Sequence, residues 1–189
     1  RAMFEVTGTA AGVPCCIQVP IDLRRYVPGR RAEAVCNLSG QLYPTLERVP
    51  GEPFEDTLER VSAEMRARKG GTPGIGSSMV VAAITSPGLY ATRMLYRRMV
   101  AGEIRSGKCN PYLSNLGELE PERLEVPGAV VTDACLVSPL MYSPGFLVGV
   151  STFRDAMTVT VGYADAAVNG DVVSRFLGLL EGELVDAAG

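Results

Sequence analysis

The chain has 189 residues, of which 47% are apolar and 21% charged, and its net charge is −3, a balance typical of one folded globular domain over residues 1–189. This charge gives no reason to expect a nucleic-acid partner, no apolar run reaches the roughly 18 residues that a membrane helix needs, and the first residues lack a signal-peptide core, so we expect a cytoplasmic protein. The chain contains no histidine, which excludes a Ser-His-Asp or Cys-His mechanism on these residues alone.

Two extended segments are predicted first, over residues 13–23 and 34–47. The first is rich in apolar and β-branched residues. Pro20 indicates an edge strand or a strand end, because proline cannot donate to a sheet ladder. Ser39–Gly40 is expected to interrupt the second segment.

The clearest helical pattern covers residues 53–69. Its apolar residues recur at steps of four, three and four, and we expect this stripe to face the core: Phe54, Leu58, Val61 and Met65. Acidic residues occupy the first half and basic residues the end, as the helix dipole favours. Gly70–Gly71 is expected to end the helix.

The glycine-rich stretch 70–78, "GGTPGIGSS", allows two interpretations. A phosphate-binding loop would need the lysine that follows the last glycine in such loops, and this lysine is missing. We therefore favour a flexible link in which Ser77 or Ser78 caps the next helix.

Helices are predicted over 79–85 and about 89–101. The second helix carries Arg93, Arg97 and Arg98 on one side, either as an anion site or, as we favour, as a solvated face.

The C-terminal third is predicted to be mostly strand. One strand ends at Ser114–Asn115 in a polar turn, and three more follow at about 128–137, 145–153 and 156–164, the last two as a hairpin. Asn169 begins a final helix over about 171–186, with an apolar face of Val172, Phe176, Leu179, Leu180 and Leu184. The expected fold is α/β: a two-layer mixed sheet with helices packed on one face.

The five cysteines are an odd number without C-x-x-C spacing: Cys15, Cys16, Cys36, Cys109 and Cys135. Adjacent Cys15 and Cys16 would point to opposite faces of a strand. We interpret all five as reduced, partly buried thiols, and we expect no metal site.

Two motifs, and the order in which they occur, resemble those of a known superfamily. "IQVPIDLRRYVPGRRAEAVCNLSG" combines a strand ending in Pro-Ile-Asp-Leu-Arg, a basic loop and Asn37, and "LSNLGEL" follows some 75 residues later, before a hairpin and a terminal helix. This arrangement resembles the C-terminal half of the chloramphenicol-acetyltransferase-like superfamily, which includes condensation domains, alcohol acetyltransferases, polyketide-associated acyltransferases and wax-ester synthases. The alcohol-acetyltransferase and polyketide-associated branches are the most similar.

The resemblance implies one half of a two-lobed fold whose lobes face each other across a channel. An acyl group on coenzyme A or on an acyl-carrier protein would be transferred to an alcohol or amine, with no bound cofactor. A histidine of a His-His-x-x-x-Asp-Gly motif in the N-terminal lobe would act as the base, and this chain has no such motif. We therefore expect an acyltransferase lobe that is inactive without a His-bearing lobe. The alternatives are a non-catalytic binding or homodimer-forming module of the same fold, or an unrelated α/β binding domain.

The candidate channel residues lie around the "SNLG" turn. A Ser114 hydroxyl and an Asn115 amide at a strand end could donate to a thioester carbonyl or hold an acceptor hydroxyl. They could equally form a turn that satisfies its own backbone. Gly117 would allow a positive φ or the close approach of another backbone.

Five further residues complete the candidate set. Asn37 could tie neighbouring strands together or point into the channel. Asp22 and Arg24, two residues apart, are assigned a structural ion pair at the strand end rather than a ligand role. Met141 and Tyr142, in a bent loop, could touch an acyl chain.

Overall fold

The computed structural model describes residues 1–31, 33–106, 111–140, 145–166 and 168–188, with the side chains of 103–106 and 188 left out. Met141, Tyr142 and Cys109 therefore lie outside the described residues. The described chain is α/β, with five α-helices and seven short strands. The helices are α1 (Ala2–Thr7), α2 (Phe54–Lys69), α3 (Ile75–Thr85), α4 (Leu89–Ser106) and α5 (Gly170–Ala188). The strands are β1 (Pro14–Cys16), β2 (Val19–Asp22), β3 (Ser39–Leu42), β4 (Thr45–Glu47), β5 (Tyr112–Leu119), β6 (Leu147–Phe153) and β7 (Ala156–Gly162).

Two prolines divide the N-terminal strands into short pieces. Pro14 pairs with Glu47 and Val19 with Leu42, so β1–β4 and β2–β3 follow one antiparallel register. At the break between them, Ile17 N donates to Pro44 O at 3.0 Å, and Pro44 has no N–H to return. The interruption of the 34–47 segment is thus at Tyr43–Pro44, and the prediction of a break at Ser39–Gly40 was wrong because β3 begins at Ser39.

Pro20 interrupts the pairing of β2 with its neighbour on the other side, β5. Gln18 N donates to Pro111 O at 3.0 Å and Gln18 O accepts a hydrogen bond from Leu113 N at 2.9 Å, which forms a parallel bridge to β5. The next donor in this ladder would be the N–H of residue 20, which proline lacks. The bridge at Gln18 is therefore the link between β2 and the C-terminal sheet.

The C-terminal sheet is mixed and has the order β5–β6–β7. β5 is parallel to β6, and β6 is antiparallel to β7 through the predicted hairpin at Arg154–Asp155. Arg154 has φ 53°, the conformation that a tight two-residue turn requires. The strand predicted at 128–137 is wrong, because these residues form no strand in the structure.

α5 covers one face of this sheet. Phe146 and Val148 pack with Val173 and Phe176 of α5, and the Phe146 and Phe176 ring centroids are 5.0 Å apart. Ala2 of α1, a helix that the sequence pattern did not predict, belongs to the same core. The predicted start of α5 is confirmed, since Asn169 Oδ1 accepts a hydrogen bond from Asp171 N at 2.9 Å.

The predicted α2 helix is confirmed, but its stripe is not core. None of its residues is buried, and Leu58 keeps 55% of its surface exposed. α3 begins at Ile75 with Gly74 as its N-cap, so the prediction that Ser77 or Ser78 is the cap was wrong. The Ser77 hydroxyl instead accepts a hydrogen bond from Gln41 N at 2.8 Å, which ties α3 to β3.

Candidate functional site

The "SNLG" segment forms a bulge inside β5 rather than the end of the strand. The register to β6 is regular up to Asn115 and shifts before Glu118. Gly117 has φ +71°, which a residue with a β-carbon rarely adopts, and its N–H donates to Asn115 Oδ1 at 2.8 Å. The Asn115 side-chain carbonyl thus closes an Asx turn, and the strand continues to Leu119.

Ser114 and Asn115 belong to opposite faces of the sheet. Ser114 is paired with Gly149, and Gly149 is paired with Thr160 of β7. Asn115 is paired with Val150, whose neighbours on α5 belong to the core. Side chains alternate along a strand, so Ser114 faces away from α5 and Asn115 lies on the α5 side. The two residues therefore do not share one channel wall.

The face that includes Ser114 carries a cluster of hydroxyl groups, formed by Ser138, Ser151 and Thr160. The Ser138 and Thr160 hydroxyl oxygens are 3.0 Å apart, and Thr160 Oγ1 donates to Leu136 O at 2.9 Å. Ser151 Oγ accepts from Leu136 N at 2.9 Å and is only 1% exposed. These bonds hold the segment from residue 136 to residue 138 against this face, and no strand forms over the expected range 128–137.

Two glycines make room for this crossing segment. A β-carbon at Gly149 would clash with the Ser138 hydroxyl and lie 2.9 Å from Thr160 Oγ1. A β-carbon at Gly162 would clash with the Pro139 carbonyl oxygen and lie 2.8 Å from Ser138 O. Backbone approaches this close are accessible only to glycine.

The half-buried Ser114 lies at the open side of the hydroxyl cluster. Ser114, Gly149 and Thr160 are paired side by side across β5, β6 and β7. The crossing segment forms hydrogen bonds with β6 and β7 and, within the described residues, none with β5. Among the described residues the Ser114 hydroxyl forms no hydrogen bond. It is therefore a donor available to a ligand placed against this face.

An apolar cavity of about 330 Å³ lies on the α5 side of the same sheet. It is walled by the strands, by α1 and by α5, and its apolar lining includes Leu113, Val148, Val150, Phe176 and Leu180. Arg1 lies at the margin of the cavity, where the Arg1 Nε atom is 3.0 Å from Glu183 Oε1. The cavity has the character of an apolar binding site, on the face opposite Ser114.

The remaining predicted site residues are not brought together with Ser114. Asn37 is exposed in the coil before β3, and β2 lies between β3 and β5. Asp22 ends β2 and caps the following 3-10 helix, where its Oδ1 accepts from Arg24 N at 2.9 Å. Arg24 Nη1 is also 3.6 Å from Asp22 Oδ2, but through the 3-10 turn rather than along a strand face, and both side chains are mostly exposed.

The described cysteines and carboxylates are further groups that could form a chemical centre. No cluster of potential metal ligands occurs within the described part of the chain. Burial raises the pKa of Cys15 and of Cys16, so both thiols are poorly ionised at neutral pH, whereas Cys36 and Cys135 are exposed. Hydrogen bonds from Arg60 and then Thr57 lower the pKa of Glu52 to about 2, and this carboxylate joins the 47–53 loop to α2.

Sequence reasoning missed the hydroxyl cluster. Ser138, Ser151 and Thr160 are far apart in sequence, and each is ordinary by itself. The available signals were Gly149 and Gly162 inside two β-rich runs, since glycine in a strand interior often marks the close approach of another backbone.

The fold is similar to that of the solved structure of polyketide synthase associated protein 5 from Mycobacterium tuberculosis. The TM-score is 0.51 at 14% sequence identity, and the alignment covers 95% of this chain and 42% of that protein. This chain therefore spans less than half the length of its structural neighbour. Comparisons with protein-family models and with curated protein sequences give no match. At this identity the likeness concerns the fold.

Proposed function

We propose that the chain is the C-terminal lobe of an acyltransferase that moves an acyl group from a thioester of coenzyme A or of an acyl-carrier protein to an alcohol or amine. The observation that carries the proposal is the fold likeness to polyketide synthase associated protein 5 over 95% of this chain and 42% of that one. A lobe that is only part of a larger enzyme agrees with the absence of histidine from the sequence.

The Ser114 face supports this proposal chemically. Attack on a thioester carbonyl places negative charge on its oxygen, and a positioned hydroxyl lowers the barrier by donating to that oxygen. The Ser114 hydroxyl is half-buried and has no partner among the described residues, and the cluster beside it is fixed by its own hydrogen bonds. Removal of the acceptor proton needs a base that titrates near neutral pH, which we assign to a second, His-bearing lobe.

The test joins the chain to a lobe that carries His-His-x-x-x-Asp-Gly and follows thiol release from acyl-coenzyme A with a panel of alcohols and amines. We expect no turnover by the chain alone and turnover by the joined protein. Ser114→Ala should lower kcat/KM about tenfold, the effect of one lost hydrogen bond of about 1.4 kcal/mol. Asn115→Asp is the matched control, because its side chain belongs to the other face and can still accept the hydrogen bond from Gly117 N, and it should leave kcat/KM within about twofold. Equal losses in both variants, or no loss in Ser114→Ala, would contradict the assignment of Ser114.

The apolar cavity favours a second candidate function, a binding module without chemistry. A volume of about 330 Å³ lined mainly by aliphatic and aromatic side chains suits a small apolar ligand. In that case the joined protein stays inactive, while an apolar fluorescent probe binds the chain alone and Leu113→Trp or Val150→Trp, which fill the cavity, abolish the binding.

A further inference from the structure

The α3–α4 hairpin (residues 75–106) is the most apolar exposed surface in the described structure. Leu89 and Tyr90, directly after the turn, keep 87% and 93% of their surface exposed. Further exposed apolar side chains extend back along both helices: Met79, Val80, Val81, Met94, Leu95, Tyr96 and Met99. A soluble monomer rarely exposes so continuous an apolar surface unless it is an interaction site.

The apolar residues surround the hairpin instead of forming one stripe. Residues 79–81 are consecutive, and so are residues 94–96, and each is exposed. Successive residues on a helix lie about 100° apart, so three in a row cover about 200° of its circumference. A protein groove contacts one face of a helix, whereas the interfacial region of a bilayer surrounds an inserted hairpin on all sides, including the helical turns directly behind its tip. The exposure therefore favours lipid over a protein groove.

The turn of the hairpin satisfies several of its polar groups internally. Ser86 N donates to Ala82 O at 2.9 Å and Gly88 N to Thr85 O at 3.1 Å, and Pro87 has no N–H. The hydroxyls of Thr85 and Ser86 each donate to a carbonyl of the preceding turn, at 2.9 Å. The Thr85 and Ser86 hydroxyls therefore lose little on leaving water. The Tyr90 hydroxyl, which forms no hydrogen bond among the described residues, and the first N–H groups of α4 need polar partners at the headgroup level, so the tip suits the interface of a bilayer and not its centre.

The charged residues between positions 70 and 102 have a single sign. Residues 70–102 contain three arginines and no acidic residue, although the whole chain has a net charge of −3. Arg93 lies one turn behind Tyr90, and Arg97 and Arg98 lie one turn further, where they line an open groove of about 500 Å³ with Tyr90 and Met94. None of the three forms an ion pair within the described ranges. Cations one and two turns behind an apolar tip match the depth of lipid phosphates.

We propose that the α3–α4 hairpin inserts its tip, Ser86–Tyr90, into the interface of an anionic phospholipid bilayer, with Arg93, Arg97 and Arg98 on the lipid headgroups. This is a surface attachment and not a span, since no helix among the described residues is long and apolar enough to cross a membrane. The inference does not depend on the acyl-transfer proposal.

The absence of tryptophan from the chain provides a clean test. Tyr90→Trp introduces a single reporter at the tip, and Val130→Trp introduces one at an exposed apolar site away from the hairpin. With phosphatidylcholine vesicles that contain phosphatidylglycerol, we expect the emission of the Tyr90→Trp variant to shift to the blue and to be quenched by brominated acyl chains, while the emission of the Val130→Trp variant does not change. High salt should reduce the effect by screening the arginines.

Flotation with the same vesicles measures the contribution of the arginines. Arg93→Gln/Arg97→Gln should lower the partition coefficient about 30-fold, since each basic residue near an anionic surface contributes about a factor of five. Arg31→Gln/Arg175→Gln removes the same charge from exposed positions elsewhere and should change partitioning less than about threefold.

Three outcomes would overturn the proposal. The first is a Tyr90→Trp variant whose emission does not respond to anionic vesicles, and the second is equal binding to neutral vesicles. The third is an emission of the Tyr90→Trp variant that is already blue-shifted without lipid and shifts further as the protein concentration rises, which would identify a second copy of the chain as the occupant.

Discussion

Replacement of Gly149 by alanine tests whether residues 136–139 cross the sheet as described. The added β-carbon would clash with the Ser138 hydroxyl and lie 2.9 Å from Thr160 Oγ1 and 3.0 Å from Leu136 Cδ2. The crossing segment must then move or Ser138 must give up its hydrogen bonds to Thr160. Overpacking of this kind costs about 1–3 kcal/mol, and each lost hydrogen bond adds about 1 kcal/mol. We expect Gly149→Ala to lower the free energy of unfolding by about 2–4 kcal/mol.

The assay is equilibrium unfolding in urea, with two companion variants. Gly162→Ala should be at least as destabilising as Gly149→Ala, because its β-carbon would meet the backbone carbonyl of Pro139, which cannot rotate away. Gly178→Ala is the matched control: this glycine is inside α5 with nothing within 4 Å of the added carbon, and alanine there should stabilise by about 0.5–1 kcal/mol. If Gly149→Ala and Gly162→Ala are as stable as the original chain, residues 136–139 do not lie on this face.

Three further predictions concern the charged network, the thiols and the last helix. Glu52→Gln should remove a stabilisation that is fully present above pH 4.5 and is lost as the pH falls towards about 2, because the folded-state pKa of this carboxyl is lowered from 4.5 to about 2. When the free energy of unfolding of both proteins is measured between these pH values, the difference between them should shrink as the pH falls. A difference that does not depend on pH would contradict the prediction. Cys36 should react with iodoacetamide faster than Cys15 or Cys16, since burial raises the pKa of these two adjacent thiols. Mass spectrometry of the labelled peptides measures the order of labelling, and faster labelling of Cys15 and Cys16 would refute the prediction. Asn169→Ala should cost about 1 kcal/mol in urea unfolding through loss of the α5 cap, whereas Asn169→Asp should cost less than half as much; equal losses would argue against capping.

Elements specified by neighbouring residues were predictable from the sequence. The β6–β7 hairpin has alternating β-rich runs on both sides of Arg154–Asp155, and the apolar spacing of α5 together with Asn169 marks that helix and its start. The same kind of pattern identified α2 as a helix but could not tell what covers its stripe, which is why Leu58 was expected in the core and is exposed.

The candidate site depends on contacts that the sequence does not encode locally. The segment before Pro139 has the composition of a strand, but its hydrogen bonds go to the side chains of Ser151 and Thr160, which are distant in the chain. Ser114 and Asn115 were grouped because they are adjacent, although adjacent residues of a strand point to opposite faces. The bulge at Gly117 begins only after Asn115, so it does not bring the two side chains together.

We propose that this chain forms one lobe of an acyltransferase whose base is a histidine of a second lobe. The direct measurement is thiol release from acyl-coenzyme A, or from an acyl-carrier protein, by the chain alone and by the chain joined to a lobe with His-His-x-x-x-Asp-Gly. We predict turnover only by the joined protein, lost on replacement of the motif histidine and reduced about tenfold by Ser114→Ala. Turnover by the chain alone, or a joined and folded protein that stays inactive with every donor and acceptor class, would contradict the claim.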